Sequence, residues 1–152
     1  MPGVVLTPPA AGLPPSGYFG KSPARRDFVT GGLSRAFTEP WHAWLEDGLI
    51  RSRELLGEDW LGAYLNQPVW RFALSAGLCG QNAVAGVMIP SIDRVGRHFP
   101  LVVVQLLPPA TAPASLAVVS GPWYEQAEAL ALSGLAADLD LERFEQQVTA
   151  LL

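Results

Sequence analysis

The stretch VWRFALSAGLCGQNAVAGVMIPSIDRVGRHFPLVVVQLL, residues 69–107, reads as three consecutive strands. Trp70, Phe72 and Leu74 alternate with Arg71 and Ala73, a period of two that puts the apolar side chains on one face. Ala83 to Ile89 is a second apolar run, and Phe99 to Leu107 a third, rich in valine, which suits a pleated and half-buried surface. Between the second and third runs lies PSIDRVGRHFP, Pro90 to Pro100, which concentrates Asp93, Arg94, Arg97 and His98 between two prolines. Charge in a tight connection between hydrophobic strands is either a structural clamp or a presented surface.

Working outward, Gly17 to Gly20 is a short aromatic strand, and Lys21-Ser22-Pro23 after it is a turn signal. Asp27-Phe28-Val29 is a second short strand, so the two form a hairpin with a basic loop, Lys21 to Arg26. Ala36 to Gly57 reads as a helix with Thr38 as N-cap and Pro40 in the first turn. Trp41, Trp44, Leu45, Leu49, Ser52 and Leu56 fall on one of its faces. A short helix over Glu58–Asn66 carries Trp60, Leu61, Tyr64 and Leu65 and ends at Pro68.

After the three strands, PPATAP is a loop and Ser115–Val119 a helical turn or strand remnant. A helix then runs from Gly121 to about Ser133 with Trp123, Ala127, Leu130 and Ala131 inward, and Gly134 stops it. Asp138 or Asp140 caps a last helix whose Leu141, Phe144, Val148 and Leu151 share a face.

The element order ββ-α(α)-βββ-α-α predicts an α+β domain with a five-stranded, mostly antiparallel sheet. The first helix covers one face and the last two the other, a three-layer αβα arrangement of profilin-like or longin-like order. At 152 residues the chain is one domain, large enough to bury roughly 68–70% of the surface its unfolded form exposes. Residues 1–16, rich in proline, read as a flexible lead-in, and 17–152 as the domain.

Charge and motifs narrow the function. The net charge is −4, and Lys21 is the sole lysine beside nine arginines. That balance argues against nucleic acid, which selects basic stripes, and suits fixed ion pairs and protein contacts. No apolar run reaches membrane-spanning length, so no membrane span is expected. The N-terminus lacks the basic and apolar regions of a signal peptide, which points to the cytoplasm.

No cofactor or metal site is expected, because His42, His98 and Cys79 lack ligand spacing. Cys79 sits in an apolar Gly-Leu-Cys-Gly setting that disfavours a reactive thiolate, so pairing with His98 is a poor catalytic reading. His42 lies off the tryptophan face and reads as solvent-exposed, and Glu125 and Glu128 as a solvated face. The GxxGK of Gly17–Lys21 lacks the spacing of a phosphate-binding loop. This leaves Ser91, Asp93, Arg94 and Arg97. Either Asp93 caps the turn or pairs with Arg97 or Arg71 as a clamp, or the arginines face outward and dock a partner.

Several stretches together are similar to the TagF/ImpM family of type VI secretion-associated proteins. They are GYFGKSPARRDFV at 17–29, EPWHAWL at 39–45, PVWRFAL at 68–74, GLCG at 77–80, AGVMIPSIDRVGRHFPL at 85–101 and WYEQAEALA at 123–131. The resemblance covers roughly residues 17–145. It implies a cytoplasmic, non-enzymatic accessory protein that represses the secretion machine after translation through contact with a forkhead-associated scaffold protein. It marks Lys21, Asp27, Trp70, Arg71, Ser91, Asp93, Arg94 and Arg97 as signature positions, structural or partner-binding. Arg26 stands where the family generally has glycine, and His42 where it often has aspartate. Members often extend further at the C-terminus, so the expectation here is the bare domain. The rival reading is a sensor of small anions or nucleotides in which Lys21, Arg25 and Arg26 join Asp93–Arg97 around a pocket.

Overall fold

A computed structural model describes residues 14–112 and 121–151. Strands β1 (Gly17–Gly20) and β2 (Val29–Gly31) lead into helix α1 (Arg35–Leu56). A 3-10 turn, Gly57–Asp59, joins it to α2 (Trp60–Leu65). Then come β3 (Trp70–Leu74), β4 (Ala83–Ile89), β5 (Leu101–Leu107), α3 (Gly121–Ser133) and α4 (Leu141–Thr149). The sheet order is β2-β1-β5-β4-β3, antiparallel throughout. The fold is α+β with helices on both faces of an open sheet.

The central strands are buried on both faces, which explains their unbroken apolar runs. Val84, Val102 and Val104 pack with Phe37, Trp41 and Leu45 of α1. Ala85, Val87 and Val103 pack with Ala127 and Ala131 of α3 and Phe144 of α4. Each buried valine contributes on the order of 1.5–3 kcal/mol. Phe72 pairs with Gly86 across β3 and β4, and a Cβ on Gly86 would fall 2.3 Å from the Phe72 ring, so glycine makes room for it.

Several element boundaries and faces differ from the sequence expectation. Helix α1 lies within one residue of the expected Ala36–Gly57 at each end, but its N-cap is Ser34 and not Thr38, and Pro40 lies inside it. A cap one turn before Thr38 buries Phe37 in line with Trp41 and Leu45 at four-residue spacing, which outweighs the backbone bond that proline removes. Trp44 remains 63% exposed and Leu56 is exposed as well, because only the narrow Phe37-Trp41-Leu45 ridge meets the sheet. The second strand begins at Val29, and the Phe28 ring stacks on Phe19 instead. His42 is only partly exposed, with its ring stacked on Phe99 at 5.3 Å between centroids.

Residues 1–13 of the proline-rich lead-in and the Ser115–Val119 segment lie outside the described residues. Pro14 to Ser16 are tied to β5. Gln105 Nε2 donates to the Pro14 carbonyl at 2.7 Å, and the Ser16 hydroxyl donates to Gln105 Oε1 at 2.8 Å. At the other end of the chain Asp140 caps α4 by accepting from the Arg143 N–H.

Candidate functional site

The charged connection between β4 and β5 folds as a small flap. Ile92 bridges His98 in antiparallel fashion, the Asp93 N–H donates to the Arg97 carbonyl at 2.9 Å, and the Gly96 N–H donates to the Asp93 carbonyl at 3.1 Å. Gly96 supplies the positive φ, 89°, that the reversal needs.

Asp93 is the hub. Its side chain is 0% exposed, and Oδ1 accepts the backbone N–H groups of Val95 at 2.9 Å and Arg97 at 3.0 Å. Oδ2 lies 2.6 Å from Arg97 Nε and 3.2 Å from Lys21 Nζ. Burial by itself would raise this carboxyl's pKa. The Arg97 N–H, Lys21, the Arg97 guanidinium and the Val95 N–H outweigh it and hold the group well below the usual carboxylate range.

Three further contacts fasten the flap to the basic loop of the first hairpin. Arg94 Nη2 donates to the Ala24 carbonyl and Arg97 Nη2 to the Arg26 carbonyl, both at 2.6 Å. The Arg94 backbone N–H donates to the Arg25 carbonyl at 2.7 Å. Beneath, the Ser91 hydroxyl donates to the Lys21 carbonyl at 2.7 Å. Tyr64 of α2 donates its hydroxyl to the Ser91 carbonyl at 2.8 Å and accepts the Ser91 N–H at 3.0 Å. Tyr64 was not singled out in the sequence, because its role depends on a contact with a residue far along the chain. Burial pushes its phenol up to about 12, so it remains a neutral donor. His98 packs edge-on against Trp60 and Tyr64, and burial, followed by the charge of Arg53, pushes its imidazole pKa down.

Of the predicted site residues, the fold brings together Lys21, Ser91, Asp93, Arg94 and Arg97. Asp93 pairs with Arg97 and Lys21, and not with Arg71. Asp27 is exposed and takes no part in these ion pairs. Lys21 is buried against Asp93 with its ammonium 5.0 Å above the Phe28 ring, so it does not line an open anion pocket with Arg25 and Arg26.

Trp70 and Arg71 stand apart on β3, the sheet edge. Arg71 binds Glu128 of α3 at 2.5 Å with its guanidinium over Tyr124, so Glu128 belongs to a cross-element pair and not to a solvated face. Trp70, 48% exposed, and Trp44 flank an apolar groove of about 200 Å³ floored by Trp41, Phe72 and Met88. The Trp41 indole N–H is a buried donor without a hydrogen-bond partner among the described residues.

Cys79 is buried, its thiol donates to the Phe37 carbonyl at 3.6 Å, and burial pushes its pKa up to about 11. Among the described residues no three His, Cys, Asp or Glu side chains are grouped as metal ligands would be, and no helix is long and apolar enough to cross a membrane.

The class is an α+β domain with helices on both faces of an open antiparallel sheet. Residues 17–151 match the TagF N-terminal domain, described as type VI secretion system-associated. The chain belongs to that family. Its structure is similar to that of PA0076 from Pseudomonas aeruginosa PAO1, with a TM-score of 0.86 and 49% identity. That match covers 90% of this chain and 62% of PA0076, so the chain spans less than two thirds of its neighbour's length. No curated protein matches.

Proposed function

We propose that the chain is a non-enzymatic accessory protein of the type VI secretion system, a post-translational negative regulator that works in the cytoplasm by protein–protein contact. Its partner in this reading is a forkhead-associated scaffold protein of the same system. Membership of a secretion-associated family supports the context. The observation that carries the contact reading is the flap. The motif PSIDRVGRHFPL is held rigid from within by the buried Asp93, while Arg94 and Arg97 stand at the surface. Rigid, preorganised arginines are the residues that anchor protein interfaces.

The test is a pull-down of secretion-system components with wild-type and Arg94→Ala protein, with circular dichroism as the folding control and effector secretion as the readout. Loss of capture and of repression by a folded variant supports the reading. A deletion strain with unchanged secretion overturns it.

A further inference from the structure

We infer that an acidic segment of a partner protein docks on the arginine face built by the 93–97 flap, the 24–26 loop and Arg53. This rests on the reading that the chain works by protein contact, and it adds the chemistry of the partner surface.

Arg35, Arg51, Arg71 and Arg97 each have a carboxylate in ion-pair contact: Glu39, Asp47, Glu128 and Asp93. Among the described residues Arg25, Arg26, Arg53, Arg94 and Arg143 have none; the first, second and fourth belong to the flap and the loop it is fastened to, and Arg53 to the part of α1 that reaches the base of the flap. Arg94 and Arg25 both donate to the Ala24 carbonyl, at 2.6 and 3.1 Å. Arg26 presents its own carbonyl to Arg97. Arg53 lies 4.3 Å over the Trp60 ring, which packs against His98 at the base of the flap. All four side chains belong to exposed residues.

A carbonyl or a ring orients a guanidinium without neutralising it. Arg25, Arg94 and Arg53 are therefore held in place with their charge intact and N–H donors to spare, and Arg26 adds an exposed charge beside them in the chain. The acids in segments 21–29 and 91–98 are Asp27 and Asp93, and Asp93 is already spent beneath Lys21 and Arg97. A local excess of positive charge thus sits on a chain whose net charge is −4.

Two features select protein carboxylates over a nucleic acid. The overall negative charge opposes a long polyanion, and the cations are arginines, three of them oriented, whose forked geometry matches carboxylates two bonds at a time. The face is also open. The two grooves described lie beside β3, away from this face, and an extended acidic segment fits exposed arginines.

The experiment titrates the ¹⁵N-labelled full chain with an octaglutamate peptide at low and at physiological salt. The expected shifts are confined to residues 24–28, 53 and 91–98. The variant Arg25→Gln/Arg26→Gln/Arg94→Gln should weaken binding about tenfold or more. The control Arg35→Gln/Arg51→Gln/Arg143→Gln, which removes the same charge elsewhere, should stay within about twofold. Should the first triple variant unfold, Arg26→Gln alone decides, because the Arg26 side chain makes no described contact. Its expected loss is about twofold to threefold.

Equal weakening by the control, shifts spread over the whole surface, or tighter binding of inorganic phosphate or a single-stranded oligonucleotide overturns the proposal. In cells the two readings separate. A folded triple variant that still represses secretion keeps the regulatory reading and removes this one. A chain that binds the peptide at the arginines while its deletion leaves secretion unchanged does the reverse.

Discussion

Lys21 and Asp93 form a buried ion pair, Nζ to Oδ2 3.2 Å, that ties the end of the first strand to the flap before the fifth. The two strands whose ends they join are themselves neighbours in the sheet. The pair sits under the surface arginines and fixes the distance between the loops that carry them. Its hydrogen bonds make the carboxylate the better satisfied member: Asp93 also holds Arg97 and two backbone N–H groups.

Removing Asp93 therefore costs more than removing Lys21. Asp93→Asn leaves the buried ammonium without its counter-charge and should destabilise by about 3–5 kcal/mol. Lys21→Met leaves Asp93 with its remaining donors and should cost clearly less. Urea unfolding of both variants checks the order, and equal losses would contradict the asymmetry.

The same carboxylate sets an acid limit. Its folded pKa lies below the unfolded value of about 3.9. Its stabilising contribution is thus complete above that value and is lost as the pH falls through it toward the folded pKa. The stability gap between wild type and Asp93→Asn, measured by urea midpoint, should be constant near neutrality and narrow below about pH 4.

His98 predicts a second, separate window. Its folded pKa is lowered by burial and by Arg53, so the fold favours the neutral ring. Stability from this group is complete above the unfolded value of about 6.5 and declines as the pH falls below it. His98→Phe keeps the aromatic contacts with Trp60 and Tyr64 and should flatten the decline between neutrality and about pH 5. An unchanged slope would place that titration elsewhere.

Two glycines should respond differently to alanine. Gly20 has a φ of 141°, and a Cβ there would fall 2.1 Å from the Pro100 carbonyl oxygen. Gly20→Ala should cost about 3 kcal/mol or more, since both strain and a backbone clash apply. Gly96, at φ 89°, has open space around the added atom, so Gly96→Ala should cost about 1 kcal/mol from conformation alone. Thermal unfolding of the two variants gives the comparison.

Much of the fold was legible because its signals are local. Alternation in Trp70–Leu74, the unbroken valines of β5, the Asp140 cap and the stop at Gly134 each depend on residues close in the chain. Their physics is therefore written in short windows. The cap of α1 is not legible in the same way: the signals at Thr38 and Pro40 are local, whereas the burial of Phe37 that puts the cap at Ser34 is tertiary.

The site divides along the same line. Residue types and spacing alone marked Ser91, Asp93, Arg94 and Arg97 as one unit, and the turn between two hydrophobic strands forced them close together. The sequence left open which cation answers Asp93, since Arg71 and Arg97 are equally plausible as letters. Tertiary structure chose Arg97 and Lys21 and sent Arg71 to Glu128, because β3 ends up at the sheet edge beside α3. It also showed that Tyr64 holds Ser91 and that Arg25 and Arg94 meet at the Ala24 carbonyl, neither with a carboxylate partner among the described residues. Strand order places these distant segments side by side, and no window of sequence records which surfaces will meet across a sheet.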